Sequence, residues 1–247
     1  MKISVVTIAY NSAATIERTI KSVLTQQGVD VEYIVVDGQS KDNTVDIIKE
    51  HAHGISHWVS EPDKGIYDAM NKGVQLATGE VVGMLNADDY FADEFALKRV
   101  VEAFQNNDCD ATYADLHYKK GKKTTRVWKS GTYKPDAFKM GWMPPHPTFY
   151  LKKSCYDQFG LYRTDMRSAA DYELMLRMIH KHQIKVHYIP QVQVFMEVGG
   201  VSNANIKNRL NANKEDQRAW EVNGLKMPWL LPLLKPLRKL PQWWGGL

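Results

Sequence analysis

Four times within its first ninety residues the chain runs through a β-branched apolar stretch and stops at polar residues. Residues 3–8 stop at Tyr10-Asn11, residues 31–36 at Asp37-Gly38, residues 55–59 before Glu61 to Lys64, and residues 81–85 at Asn86 to Asp89. Helical patterns separate the runs. Asn11-Ser12 offers a helix cap, and Ile16, Ile20, Val23 and Leu24 recur at helical spacing. Residues 43–50 read as a second helix, and residues 66–77 as a third with Gly79 as its stop. Strand and helix in strict alternation predict an α/β fold, a mostly parallel sheet with helices on both faces. Such sheets bind ligands at the carboxyl ends of their strands, near the switch in strand order. All four polar clusters fall there, which ordinary turns do not explain.

Beyond about residue 110 the alternation loosens. Residues 111–118 and 124–128 read as a hairpin around Lys119-Lys120-Gly121-Lys122-Lys123. Residues 130–147 hold Gly, Pro, Trp and Met without a period and read as loop. Residues 171–182 read as a helix, 184–195 as extended and 206–222 as a polar helix. The length of 247 residues, 44% of them hydrophobic, suits one large domain with an appendage. The net charge of +4 does not call for nucleic acid, and none is expected as a partner. No window supplies the roughly 18 apolar residues of a membrane-crossing helix. Cys109 and Cys155 match no zinc spacing and form no close pair, and no secretory leader is visible, so a reducing cytoplasm is expected.

A polar carboxyl edge suggests a nucleotide ligand. The glycine-rich dinucleotide fingerprint and the P-loop are both missing after the first strand, where Ala9-Tyr10-Asn11-Ser12 stands. A hard divalent cation bridging phosphate oxygens takes over that role, and Asp88 and Asp89 supply carboxylates for it.

Six segments, in order, resemble the family 2 glycosyltransferases of bacterial surface-polysaccharide type. They are residues 7–11 (TIAYN), 35–44 (VVDGQSKDNT), 61–73 (EPDKGIYDAMNKG), 85–89 (LNADD), 145–149 (PHPTF) and 170–174 (ADYEL), and the likeness covers roughly residues 1–205. The resemblance implies a GT-A fold, that is, a Rossmann-like nucleotide-diphospho-sugar transferase. It also implies a nucleotide-sugar donor, a divalent metal (Mn2+ or Mg2+) and inversion at the anomeric carbon. On this reading residues 1–110 bind the donor, residues 111–224 carry the acceptor side and the base, and residues 225–247 are an appended tail.

The same resemblance distributes roles. Asp37 would accept hydrogen bonds from a uracil-type N–H or a ribose hydroxyl, or else form a turn capping the next helix. The backbone at Thr7, Ala9 and Tyr10 would lie along the base, with Tyr10 stacked on it or serving as a rim aromatic. Asn86-Ala87-Asp88 holds the place of the family's Asp-x-Asp motif. An amide stands where the family usually has the first acid, so the metal falls to Asp88, and Asp89 either joins it or caps a turn. Lys64 is a candidate diphosphate contact or a solvated surface lysine. Asp171 takes the position of the base that deprotonates the acceptor, although an acid at a helix start is also a common cap. Glu173 is the alternative base, and Ala170 replaces the acid that often precedes the base. His146 is placed on the acceptor side, as an acceptor contact or an extra metal contact, or else is structural, and residues 199–202 (GGVS) are either a mobile loop or a plain turn. The signature of processive synthases is absent, which favours transfer of a single sugar.

The tail, LKMPWLLPLLKPLRKLPQWWGGL, mixes Trp and Leu with Lys226, Lys235, Arg238 and Lys239, while four prolines forbid one long helix. That composition suits an anionic membrane surface, reached from the cytoplasmic side, where a lipid-linked or oligosaccharide acceptor would be met. A strap packed on the domain or a dimer contact is the alternative. Two rival functions remain. A sugar-nucleotide pyrophosphorylase lacks support because its basic glycine-rich loop is missing. A nucleotide-sugar-binding scaffold subunit would have had no use for both Asp88 and Asp171.

Overall fold

The computed structural model describes residues 1–198 and 206–243. β1 (Lys2–Ala9), β2 (Asp30–Asp37), β3 (His57–Ser60) and β4 (Val81–Met84) lie parallel in the order β3-β2-β1-β4. The crossovers are α1 (Ile16–Leu24), α2 (Thr44–Glu50) and α3 (Ile66–Leu76). β1 and β2 are buried along almost their whole length, which is why they read as unbroken apolar runs. Alternate residues nonetheless serve two cores. Val6, Ile8, Ile34 and Val36 pack on the α3 side, while Val5, Tyr33 and Val35 pack with Ile16 and Ile20 of α1.

The sheet continues through β8 (Tyr150–Lys152), β6 (Ala111–Lys120), β9 (Val186–Glu197) and β5 (Asp89–Phe91), with β7 (Lys123–Trp128) hairpinned onto β6. β4 and β6 meet β8 antiparallel, β5 meets β9 antiparallel, and β6 runs parallel to β9. Counted by paired residues the α/β sheet is mostly parallel, as expected. Two further helices, α4 (Ala96–Asn106) and α5 (Lys153–Phe159), were not foreseen, nor were the three-residue strands β5 and β8. The expected helix at 171–182 is α6 (Ala170–Met175) running into a π-helical turn at Leu176–Lys181.

Some local expectations are corrected. The third strand forms at His57–Ser60 rather than 55–59, because a 3-10 turn at Ala52–Gly54 takes up the preceding chain. Asn11-Ser12 does not cap α1: no side chain caps it, and Asn11 Oδ1 instead accepts the Lys41 N–H at 2.9 Å. Residues 130–147 are largely loop, with a 3-10 turn at Ala137–Met140 and another beginning at His146. The 199–202 segment and Trp244 lie outside the described residues.

After α7 (Ile206–Val222) the tail forms α8 (Leu231–Leu237) and a 3-10 turn at Leu240–Trp243. Its inner side is a strap. Leu231 is buried, and Lys235 Nζ meets the Asp216 carboxylate at 2.6 Å. A Cβ at Gly141 would lie 2.7 Å from Lys235 Cα, so α8 crosses the 137–141 turn at backbone contact. Arg126 Nε donates to Gln242 Oε1 at 2.7 Å. Among the described residues no helix is long and apolar enough to cross a membrane. Cys109 and Cys155 are buried and unbonded.

Candidate functional site

The ends of β3, β2 and β1 are brought side by side, with Ser60 opposite Asp37 and Asp37 opposite Ala9. Thr7 and Ala9 are buried in β1, and Tyr10 emerges from its end 60% exposed. Thr7 Oγ1 accepts the Tyr33 hydroxyl at 3.1 Å, so its side chain is taken up inside the sheet. Asp37 is fully buried. Its carboxylate accepts the Ser40 N–H at 3.0 Å, the Ser60 hydroxyl at 2.6 Å and the Ser40 hydroxyl. It therefore binds three donors of the protein itself within the 37–40 turn, and it does not cap α2, which starts at Thr44 without a side-chain cap. Beside it, a Cβ at Gly38 would fall 2.3 Å from Asp63 Oδ2 and 3.4 Å from the Tyr10 ring. Only a glycine at 38 thus lets the Asp63 carboxylate pack directly on the backbone beside the exposed Tyr10 ring. Lys64 is exposed on the loop leading into α3, and its N–H donates to Asp68 at 3.0 Å.

The chain leaves β4 through a turn in which the Asp89 N–H donates to the Asn86 carbonyl at 3.0 Å. This turn splits the two adjacent acids. Asp89 enters β5 and is fully buried, where its Oδ2 accepts the Asn86 amide at 2.9 Å and its Oδ1 has no partner. It does not cap a turn. Burial, and then the neighbouring charge of Asp88, raises its carboxyl well above the usual range. Asp88 stands at the turn and is half-buried; desolvation raises its carboxyl, against the pull of Arg18. Ala87 between them is buried.

Arg18, from α1, donates to the Asp88 carbonyl at 3.2 Å, ion-pairs with Glu197 at 2.8 Å and lies 4.1 Å over the Tyr90 ring. Nothing in the sequence pattern marked Arg18, which reads as an ordinary polar-face residue of α1. Among the described residues no group of three or more His, Cys, Asp or Glu is assembled as a metal cage. The set nevertheless fits a hard cation: it offers an accessible carboxylate on Asp88 and an unpartnered buried amide oxygen on Asn86, both oxygen donors. Divalent ions that work on phosphates commonly use one or two carboxylates and take their other ligands from substrate and water.

Asp171 sits inside the first turn of α6, which no side chain caps, so capping does not account for it. Its Oδ1 accepts the Tyr67 hydroxyl at 3.2 Å. Tyr67, in the first turn of α3, is 104 residues away in sequence, so this bond ties the candidate base to the helix that connects β3 and β4. Burial, and then the charge of Asp171, raises the Tyr67 phenol, which stays a donor at ordinary pH. Behind them lies a buried layer. His146 Nε2 and the Tyr162 hydroxyl are 2.8 Å apart, and the Tyr67 and Tyr162 rings stack at 6.1 Å. Burial lowers the His146 imidazole, only partly opposed by Asp171, so it is neutral. His146 is thus brought close to Asp171, but beneath the surface.

Glu173 is not open to act as a base. Its carboxylate is held by Arg177 Nε at 2.9 Å and by the Asn223 amide at 2.9 Å, all buried. Tyr67 was legible only as part of the 61–73 segment, and Tyr162 carried no signal.

The profile of "Glycosyl transferase family 2" matches residues 4–169. An uncharacterized glycosyltransferase of Mycobacterium tuberculosis is 32% identical over 177 residues, 71% of this chain and 68% of that one. A PGL/p-HBAD biosynthesis glycosyltransferase of Mycobacterium bovis is 28% identical over 205 residues, 81% and 78% of the two chains. S. aureus TarS in complex with UDP-GlcNAc superposes with a TM-score of 0.67 at 17% identity, over 100% of this chain and 80% of that one. Against a longer TarS chain the match spans 42% of it. The Pyrobaculum calidifontis mannosyltransferase PcManGT, in complex with GDP-Man and Mn2+, gives 0.64 at 18% identity, over 95% and 73%. At these identities the two structures establish a shared GT-A-type fold.

Proposed function

The chain belongs to glycosyl transferase family 2, and on that premise we propose that it moves one sugar from a nucleotide-diphosphate donor to a lipid-linked or oligosaccharide acceptor with inversion. The observation that carries this is the Tyr67–Asp171 hydrogen bond, which joins the candidate base to the helix leading out of the β3 end.

Residues 1–110 hold the donor. The base lies against the exposed Tyr10 ring, along the backbone at Thr7 and Ala9. Asp37, held by three donors from Ser40 and Ser60, fixes the end of β2 against which the nucleoside lies. Asn86 contacts a sugar hydroxyl, Ala87 gives backbone, and Lys64 reaches the diphosphate. Asp88 would hold a divalent cation, Mn2+ or Mg2+, with Asp89 behind it orienting Asn86. Such a cation supplies Lewis-acid stabilisation of the departing diphosphate. Asp171 takes the proton of the acceptor hydroxyl as that oxygen bonds to the anomeric carbon. The bond from that carbon to the diphosphate oxygen breaks on the opposite face, and the nucleoside diphosphate leaves with the electron pair. Tyr67 keeps the Asp171 carboxylate aimed, and His146 on the acceptor side positions it through the buried layer. The work is done at the cytoplasmic face of the membrane, with the protein peripheral. The PGL-biosynthesis relative and the nucleotide-sugar-bound fold relatives support this reading.

The test is release of nucleoside diphosphate from UDP-, GDP- and dTDP-sugars in the presence of Mn2+ and a lipid-linked acceptor. One donor should be consumed, with the product of opposite anomeric configuration, and Asp171→Asn should stop it. Consumption of no donor, or full turnover by Asp171→Asn, would overturn the proposal.

A further inference from the structure

A cavity of about 340 Å3 lies between β7, the 129–143 loop and the tail. Its cationic lining is Lys129, Lys235, Arg238 and Lys239, and its aromatic walls are Trp128 and Trp142. No Asp or Glu is among the described residues that line it. Lys235 is engaged by Asp216, whereas Lys129 and Arg238 are exposed at the rim. Such a cavity is suited to a phosphate whose attached group meets an apolar wall.

The strap's outward side supplies what that attached group would be. Trp229, Leu233 and Leu237 follow one another at intervals of four, through and just ahead of α8, and are 83%, 62% and 56% exposed. Leu230 and Leu240 extend the same stripe, and Trp243 is exposed beyond it. Residues 225–247 hold four basic residues and no acid, so the charge of the whole tail complements an anionic surface. An apolar stripe with Trp beside a basic pocket is the arrangement of a segment lying in a membrane interface, not crossing it.

We propose that this cavity binds the phosphate of an anionic membrane lipid, with the Trp229–Leu240 stripe seated among the acyl chains. This rests on the membrane-surface placement in the proposed function, but not on the transfer chemistry. The pocket is also coupled to the site. Lys235 Nζ lies 3.7 Å over the ring of Tyr172, the residue after Asp171, and Phe138 bridges Tyr172 and Trp142 with ring distances of 6.0 and 5.5 Å.

The test uses the full chain, without donor or acceptor, so that its failure is separate from failure of the transfer reading. Co-sedimentation is measured with vesicles of phosphatidylcholine alone and with phosphatidylglycerol added. Binding should require phosphatidylglycerol. The pair Lys129→Gln with Arg238→Gln should weaken it by about fivefold for each charge. Removing Lys49 and Lys98, which lie outside the cavity, should have much less effect. Leu233→Ser with Leu237→Ser, both exposed on α8, should also weaken it while the far-UV circular dichroism and Tm stay those of the wild type. Equal binding to both vesicles, or an equal loss in the two charge pairs, would overturn the proposal. So would displacement from the vesicles by millimolar inorganic phosphate, which would mark a free-anion site.

Discussion

Asp88 and Asp89 differ by one position, yet one is accessible and the other sealed, because the turn out of β4 delivers Asp89 into β5. The first expectation follows from that split. Asp88→Asn should lower kcat by about a hundredfold or more, the scale of losing a charge aimed at the transition state. Asn86→Asp should lose less than Asp88→Asn, since an acid still accepts from a sugar hydroxyl, although it takes from Asp89 its amide donor; equal losses in the two variants would contradict the assignment. Asp89 yields a second expectation through pH. Its folded-state carboxyl lies well above the usual range because of burial and the Asp88 charge. Between the unfolded value of about 4 and that raised value the folded chain holds more protons than the unfolded one, so stability falls as pH rises. Asp89→Asn should therefore raise Tm of the metal-free protein at pH 7–8 and change it little near pH 4. A melting series across that range decides it, and a uniform shift would show that charge is not the cause. For Asp171→Asn the fall in kcat should be roughly a hundred- to ten-thousand-fold, with donor affinity kept in titration calorimetry.

Elements were legible to the extent that their own residues determine them. β1, β2, α1 and α3 carry apolar runs or helical stripes that only a buried strand or an amphipathic helix uses, and all four were anticipated. β5 and β8 are three residues each and exist because β9 and β4 run beside them, a condition no local window contains. The site divides in the same way. The polar strand ends were visible, but the Tyr67–Asp171 and Arg18–Asp88 contacts span 104 and 70 residues and belong to packing alone. The expected cap at Asn11-Ser12 failed because those residues are laced to the 40–44 loop, with Ser12 N–H donating to Thr44 at 2.7 Å. At this scale Glu32 deserves a test. It joins β2 to β1 through Ser4 Oγ at 2.6 Å and to the turn before β4 through the Thr78 N–H at 2.7 Å. Burial pushes its carboxyl up, but the hydrogen bonds from Ser4 and Thr78 outweigh this and bring it to about 2. Its contribution is present above about pH 4.5 and is lost as pH falls toward 2. Glu32→Gln should cost about 1–3 kcal/mol at neutral pH and flatten acid unfolding over that window. An unchanged acid profile would refute the account.

For the whole molecule, the β1 and β2 ends, the Asp88 turn and the Asp171 layer belong to one sheet and the helices packed on it, so ligand bound across them should stabilise all. If Asp88 and the donor phosphates share the cation, neither partner alone completes the site. Mn2+ and the nucleoside diphosphate together, at a hundred times their dissociation constant, should add about 2.7 kcal/mol. For a chain of this size that is a rise in Tm of roughly 5–11 °C. Either one alone should give much less, and Asp88→Ala should lose the joint shift. The same experiment separates the enzyme from a scaffold subunit. A full joint shift with no sugar transferred to any acceptor would favour the scaffold, because binding would then be intact and chemistry missing. A shift produced by Mn2+ alone would place the cation somewhere other than the phosphate side of Asp88. The strap adds a constraint of its own, since Lys235 presses on Tyr172 beside Asp171. Removing residues 225–247 should therefore lower kcat on a water-soluble acceptor as well as vesicle binding. Lost vesicle binding with kcat unchanged would show the strap to be an anchor with no hold on the base.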